Sequence, residues 1–322
     1  MISRNFIRIK TLEAIYTYRT SHSEDIFAAE KRLQHAMEEF YALFVKLLAL
    51  LPALAHLDAR ILDQKKSRLL PSEEDLQPNY RFSANRVIRQ IDENPAIDRK
   101  IEDCMVAWNN DLDQLFLKPF YTTLTNQPFF TEYLKQPEDS YENDRKFVLD
   151  LIEHFLLENE DCSNYLGESH LHWHVDYNEA VILIYNVLKK YTEKQKADKP
   201  LPPLFKLTPE SLVSEDEQFM KDLFINTLKH DKEYEELIAR CIRNWEIDRV
   251  ATMDMLLLKM ALCEFTCMPS IPVRVTLNEY IELAKYYSTP KSRIFVNGIL
   301  DNALEILRNE NRLQKQGRGL MG

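Results

Sequence analysis

Leu258-Lys259-Met260-Ala261-Leu262-Cys263-Glu264-Phe265, then Ile271-Pro272, Asn278-Glu279 and Glu282-Leu283-Ala284-Lys285, and last Phe295-Val296-Asn297-Gly298-Ile299-Leu300-Asp301, decide how this 322-residue chain is read. Apolar positions around these stretches recur at helical spacing. Helices are expected near 209–230, 231–245, 248–267, 276–287 and 292–309. Thr276 and Glu279 have the spacing of a capping box, which makes Glu279 structural. Gly298 inside a helical pattern costs about 1 kcal/mol against alanine, so a close helix approach is expected there. Trp245 reads as a core or interface anchor, and Asp248 as the cap of the helix after it.

Working outward, Phe6, Ile9, Leu12, Ile15 and Tyr16 mark a helix from Asn5 to Arg19 whose other face is basic. Ser21 and Glu24 have capping-box spacing before a second stripe, Phe27, Leu33, Met37, Phe40, Phe44, Leu47 and Leu51, which Pro52 is expected to stop. Further helical pattern follows, broken at Pro71, Pro78, Pro95, Pro119, Pro128 and Pro137. It closes on Lys199-Pro200-Leu201-Pro202-Pro203, which reads as a boundary. Strand-like alternation is scarce, so the fold class is all-α. The expected organisation is N-terminal helices over 1–52, an acidic helical insertion over 53–203, a C-terminal bundle over 204–312 and a disordered basic tail over 313–322.

The net charge of −10 is unevenly placed. Residues 137–179 hold twelve acids against Arg145 and Lys146, which accounts for the whole excess. The remainder sums to zero and both ends are locally basic: Arg4, Arg8, Lys10 and Arg19 against Glu13, then Arg308, Arg312, Lys315 and Arg318 against Glu310. A nucleic-acid surface is expected at such ends and not on the insertion, where phosphate would be repelled. The insertion is nonetheless expected to be folded, because Phe147, Leu151 and Phe155 with Ile182, Tyr185 and Leu188 form apolar stripes. Phe147, Asp150, Leu151, Leu156, Trp173 and Asp176 also recur, 72 residues on, as Phe219, Asp222, Leu223, Leu228, Trp245 and Asp248. That is either an internal duplication or convergence on an amphipathic hairpin.

Five glycines, three of them at the extreme C-terminus, exclude glycine-rich phosphate loops, and neither a nucleophile elbow nor a cofactor loop is present. An enzyme is therefore not expected, nor a cofactor. The five cysteines are odd in number and form no C-x-x-C pair, which fits a reducing compartment. With no long apolar leader and no stretch of eighteen uncharged apolar residues, a cytoplasmic protein without a membrane span is expected. His170, His172 and His174 share one face only in an extended segment. A solvated turn beside a buried Trp173 is expected there, without a metal.

In order and spacing, Trp245-Glu246-Ile247-Asp248-Arg249-Val250-Ala251-Thr252-Met253-Asp254 together with the stretches quoted first is similar to the NusB family of antitermination proteins. Arg4 to Tyr16, ending Ala14-Ile15-Tyr16, resembles that family's first helix. The resemblance implies a NusB-like helical bundle with a large helical insertion between the N-terminal helices and the C-terminal bundle. It also implies a non-enzymatic, RNA-binding factor that pairs with NusE, the small-subunit ribosomal protein. The pair would act on single-stranded boxA RNA, within the RNA polymerase antitermination complex, during ribosomal RNA transcription. RNA contact then falls on Arg4, Arg8 and Lys10 of the first helix, where Asn5 and Phe6 replace usual arginines, and on Lys291, Ser292, Arg293 and Phe295. An aromatic beside bases with cations at phosphates is how single strands are commonly held. Phe295 as a plain core residue stays open. Partner contact falls on Tyr16 and Asp254. Two alternatives are a helical protein-binding scaffold of the same fold and the NusB-like domain of an RNA-modifying enzyme. The latter needs a glycine-bearing cofactor loop that this chain lacks.

Overall fold

A computed structural model describes residues 2–21, 25–205, 214–242 and 249–320. Among these residues the regular elements are helices, with no strand. In chain order they are α1 (Arg4–Thr20), α2 (Ile26–Lys66), α3 (Glu73–Leu76), α4 (Arg86–Asp92), α5 (Pro95–Cys104), α6 (Asp111–Thr125), α7 (Pro128–Lys135) and α8 (Tyr141–Leu151). A π-helical turn over Ile152–Leu156 leads to α9 (Glu160–Ser169) and α10 (Leu171–Leu188). The chain ends with α11 (Glu215–Lys229), α12 (Asp231–Cys241), α13 (Thr252–Cys267), α14 (Val273–Tyr287) and α15 (Ser292–Asn309). Two compact units result, one from Met1–Ala36 with Phe205–Gly322, the other from Met37–Leu204. The second carries 19 Lys and Arg against 29 Asp and Glu, so the whole net charge of −10 resides in it and the first unit is neutral.

Helix α2 corrects the reading of Pro52 as a stop, since it continues to Lys66 with Pro52 inside it. A proline in a helix interior costs about 3 kcal/mol. Burying a leucine contributes about 1.5–3 kcal/mol, and Leu47, Leu48, Leu50, Leu51 and Leu54 are all fully buried around the proline. Packing therefore outweighs the missing hydrogen bond. The same burial explains why α2 is long and apolar enough to cross a membrane by composition, yet 83% of its most apolar window is inside the protein. At its start, Asp25 accepts from the Ala28 N–H at 2.9 Å, which is the cap that was expected of Ser21. Ser21 instead ends α1, and Glu24 lies outside the described residues.

The acidic unit has a close-packed interior. Phe82, Phe130, Tyr133 and Phe147 form an aromatic cluster, with Tyr133 and Phe147 stacked at 4.0 Å between centroids. Asn85, fully buried, accepts from the Val87 and Ile88 N–H groups and donates to the Tyr133 hydroxyl and the Asp144 carbonyl. The start of α4 is thereby fixed to α7 and α8. Gly167 has a steric role: a Cβ there would lie 2.8 Å from the Cβ of His174, so α9 and α10 cross too closely for a side chain. The expected stripe on α10 is turned relative to the core. Trp173, Tyr177, Ala180, Val181, Ile184 and Leu188 are buried, whereas Ile182 is 43% exposed.

Shifting α9 by 72 residues gives 232–241, against α12 at Asp231–Cys241. Shifting α8 with its π turn gives 213–228, against α11 at Glu215–Lys229, so the repeated positions lie in elements of matching length and order. Trp245 and Asp248 lie outside the described residues. The histidine cluster is a helix start and not a turn: His170 pairs with Glu39 at 3.0 Å and stacks on Trp173, and the His174 ring meets the Ser163 hydroxyl at 3.0 Å.

In the neutral unit, α1 packs on α11 and α13, and α13 on α14 and α15. Lys315 and Gln316, in the segment expected to be a disordered tail, lie at the C-terminal end of α13. There Lys315 donates to the carbonyls of Glu264 and Met268 at 2.8 and 3.0 Å, and the Gln316 N–H donates to that of Pro269. An ammonium at unsatisfied helix C-terminal carbonyls is stabilising, which accounts for the order. Gly298 is exposed on α15 and nothing lies within 4 Å of where its Cβ would be, so close helix approach is not its reason.

Candidate nucleic-acid interface

Helix α1 starts at Ser3, whose hydroxyl accepts from the Phe6 N–H at 3.1 Å, and it buries Phe6, Ile7, Leu12 and Ile15. Arg8 is on the same buried face. Its guanidinium donates to both oxygens of Glu264, Nε at 2.6 Å and Nη2 at 3.0 Å, and Nη1 reaches Glu279 at 3.2 Å. Glu264 on α13 is fully buried and also accepts from the hydroxyls of Thr276 at 3.0 Å and Tyr280 at 2.8 Å. Four donors therefore converge on one carboxylate, the arrangement a buried charge requires. Burial alone lowers the Arg8 pKa, but the charge and hydrogen bonds of Glu264, with Tyr280 and Glu279, more than reverse this and raise it. Burial also lifts the Tyr280 hydroxyl well above its usual value, as does Glu264.

Thr276 and Glu279 consequently belong to this cluster and not to a capping box. Helix α14 begins at Val273, one turn before Thr276, and Glu279 accepts from the Asn5 amide at 2.9 Å. A second buried cation fastens α13 to α12: Lys259, fully buried on α13, donates to Asp231 at 2.9 Å and Glu235 at 2.6 Å on α12, and Arg19 of α1 pairs with Asp231. Burial draws the Lys259 ammonium below its usual pKa despite these bonds, while its hydrogen bond holds the Glu235 carboxyl below its own. Sequence reading missed Glu264 and Lys259 as organising groups. Their signal is a run from Leu256 to Phe265 that is apolar all round apart from these two charges.

Beside the cluster lies an open groove of about 1130 Å³, walled by Arg4, Asn5, Arg8, Phe219 and Glu279 and by the turn from Cys267 to Pro272. Arg4, about a third exposed, donates to Asp216 at 2.9 Å and lies near Glu215 at 3.7 Å. These acids occupy the first turn of α11, where the helix dipole favours them. Arg4 and Arg8 both lie over the Phe219 ring, at 5.3 and 5.2 Å from its centroid.

The residues expected to touch RNA divide by exposure. Arg4, Lys291 and Arg293 are accessible and Phe295 is half-buried, whereas Arg8, Lys10 and Ser292 are interior. Lys10 meets Glu13 at 3.0 Å and lies over the Phe6 ring. The Ser292 hydroxyl donates to Asp254 at 2.7 Å, and Asp254 is itself buried. The two residues tie the start of α15 to the start of α13, a role the expected partner contact at Asp254 did not include. Tyr16 is 42% exposed on α1.

Among the described residues this unit is helical, its first helix walls a groove with arginines, and its last helix starts with exposed cations. Among the described residues no cluster of His, Cys, Asp and Glu is placed to hold a metal ion. The NusB family profile matches residues 178–305, which begins within α10 and runs through α11 to α14 into α15. The chain is 46% identical over 104 residues to the transcription antitermination protein NusB of Salinibacter ruber, covering 32% of this chain and 65% of that one. It is 34% identical over 142 residues to the protein of that name from Chloroherpeton thalassium, covering 43% and 66%. With that of Finegoldia magna it shares 35% identity over 102 residues, covering 32% and 73%. The chain thus belongs to the NusB family. It spans just under two thirds of the length of the first two relatives, 65% and 66%. No solved structure matches it.

Proposed function

We propose that this chain is a non-enzymatic, cytoplasmic antitermination factor whose neutral unit binds single-stranded boxA RNA together with NusE, as part of the RNA polymerase antitermination complex. The observation that supports this reading best is the coincidence of family membership with the groove between α1, α11 and the end of α13. In this proposal Arg4, Lys291 and Arg293 meet phosphates and Phe295 stacks on a base, while Arg8, Lys10 and Ser292 act by holding α1 and α15 in place. Tyr16 lies on the NusE-facing surface, and Asp254 supports it through Ser292. The acidic unit stays away from RNA, because its charge of −10 would repel the backbone.

Anisotropy titrations of labelled boxA-like RNA, with and without NusE, test the reading. Lys291→Glu and Arg293→Glu should each reduce the slope of log K against log salt by about 0.7, the value for neutralising one phosphate of a single strand, with unchanged helicity. Tyr16→Ala should reduce recovery of NusE in a pull-down with RNA. Unchanged slopes in both charge variants remove the RNA site. Failure of the wild-type chain to retain NusE favours a scaffold.

A further inference from the structure

The acidic unit has a built feature that RNA binding does not use. After α8 the chain widens into the π turn Ile152–Leu156, and Glu158 follows with φ +58°, a conformation that L residues avoid. Side chains from α10 hold this course: the Tyr177 hydroxyl donates to the Leu156 carbonyl at 2.8 Å, and the Glu158 N–H donates to the Asn178 side chain at 2.9 Å. Between the π turn and α10 the result is an apolar groove of about 210 Å³, lined chiefly by Ile152, Leu157, Val181, Ile182 and Tyr185 with Glu153 at its wall.

Ile182 also continues an exposed stripe along α10. Leu171, Val175 and Ile182 fall on one helical face and are 81%, 65% and 43% exposed. Residues 147–188, which supply the π turn, α9 and α10, contain eight Asp and Glu and not one Lys or Arg. The cations that flank this stretch in sequence are Lys146 and Lys189, and Lys189 lies over the Tyr185 ring at 5.6 Å. Apolar surface flanked by a marked excess of one sign of charge, here eight acids against the two lysines at the ends of the stretch, selects a partner of the opposite sign. A second copy would bring the same acids to the same face, and RNA would bring phosphate. Both are disfavoured by like charge.

We propose that the π-turn groove and the Leu171, Val175 and Ile182 stripe dock a Lys/Arg-rich amphipathic segment of a partner protein, its apolar anchor entering the groove and its cations facing Glu153, Glu158 and Glu179. Docking of an amphipathic helix on such a surface is a general recognition mode. The RNA-binding reading is independent of this one.

The test uses the full chain and a labelled peptide of leucine and lysine with leucines at helical spacing, beside a control in which every leucine is serine. Saturable one-to-one binding is expected, about tenfold or more weaker for Ile182→Lys and for Leu171→Lys with Val175→Lys, and likewise weaker for the control peptide. These side chains are exposed, so helicity should be unchanged. Three results overturn the proposal: no saturable binding at millimolar peptide, variants that bind like wild type, or a serine control that binds as well. Two others reassign the face and overturn it equally: a dimer in sedimentation that Val175→Lys abolishes, or loss of boxA RNA affinity in the same variants.

Discussion

Replacing Arg8 with methionine keeps the length of the side chain and removes the cation that Glu264 faces. Glu264 is fully buried, and two of its four donors come from Arg8, at 2.6 and 3.0 Å. Thr276 and Tyr280 would remain, neither of them charged. Leaving a buried charge without its partner typically costs about 3–5 kcal/mol, so Arg8→Met should lower the unfolding free energy by that order. Glu264→Gln, introduced into the Arg8→Met chain, removes the stranded charge while its amide still bonds to the two hydroxyls. The second substitution should restore part of the loss, although in the wild-type background the same change destabilises. Urea unfolding of the four proteins, followed by circular dichroism, measures this reversal of sign. A cost below about 1 kcal/mol for Arg8→Met, the size expected of an exposed pair, would refute the reasoning. So would a double variant no more stable than Arg8→Met alone.

Two further outcomes follow from other parts of the molecule. Gly298→Ala should raise stability by about 0.5–1 kcal/mol, because the position is helical, exposed and open, and alanine restricts the unfolded chain. A lower melting temperature for that variant would count against it. Burial pushes the Tyr41 and Tyr141 hydroxyls up to about 12 from the ordinary 10.0. The folded chain therefore keeps protons that the unfolded chain releases, and this contribution to stability is complete below pH 10 and lost as pH rises through 12. The part of the tyrosinate absorbance that these two side chains supply should then appear together with loss of helical signal. Titration of all tyrosines near pH 10 with helicity intact would show that burial does not hold them.

Local information was enough for most of the helices, since the repeat of apolar residues every three or four positions depends only on neighbours in the chain. Leu12 and Ile15 of α1, Leu283 of α14 and Leu300 of α15 are buried as their spacing implies. The uneven charge was likewise legible, being a property of composition, and so was the foldedness of the acidic segment, from its aromatic and aliphatic content. Pro52 was not, because whether a helix survives a proline depends on how many leucines the rest of the fold buries around it. Nor was the state of Arg8, which periodicity places at the edge of an apolar face and basic composition assigns to solvent. Its partner is 256 residues away in the chain, and Ser292 finds Asp254 at a separation of 38. A sequence read in windows specifies which groups are charged or apolar. Only the packing of α1 against α13 and α14 brings a carboxylate to that arginine, and it is this long-range pairing, made favourable by exclusion of water, that decides which cations hold the fold and which remain at the surface.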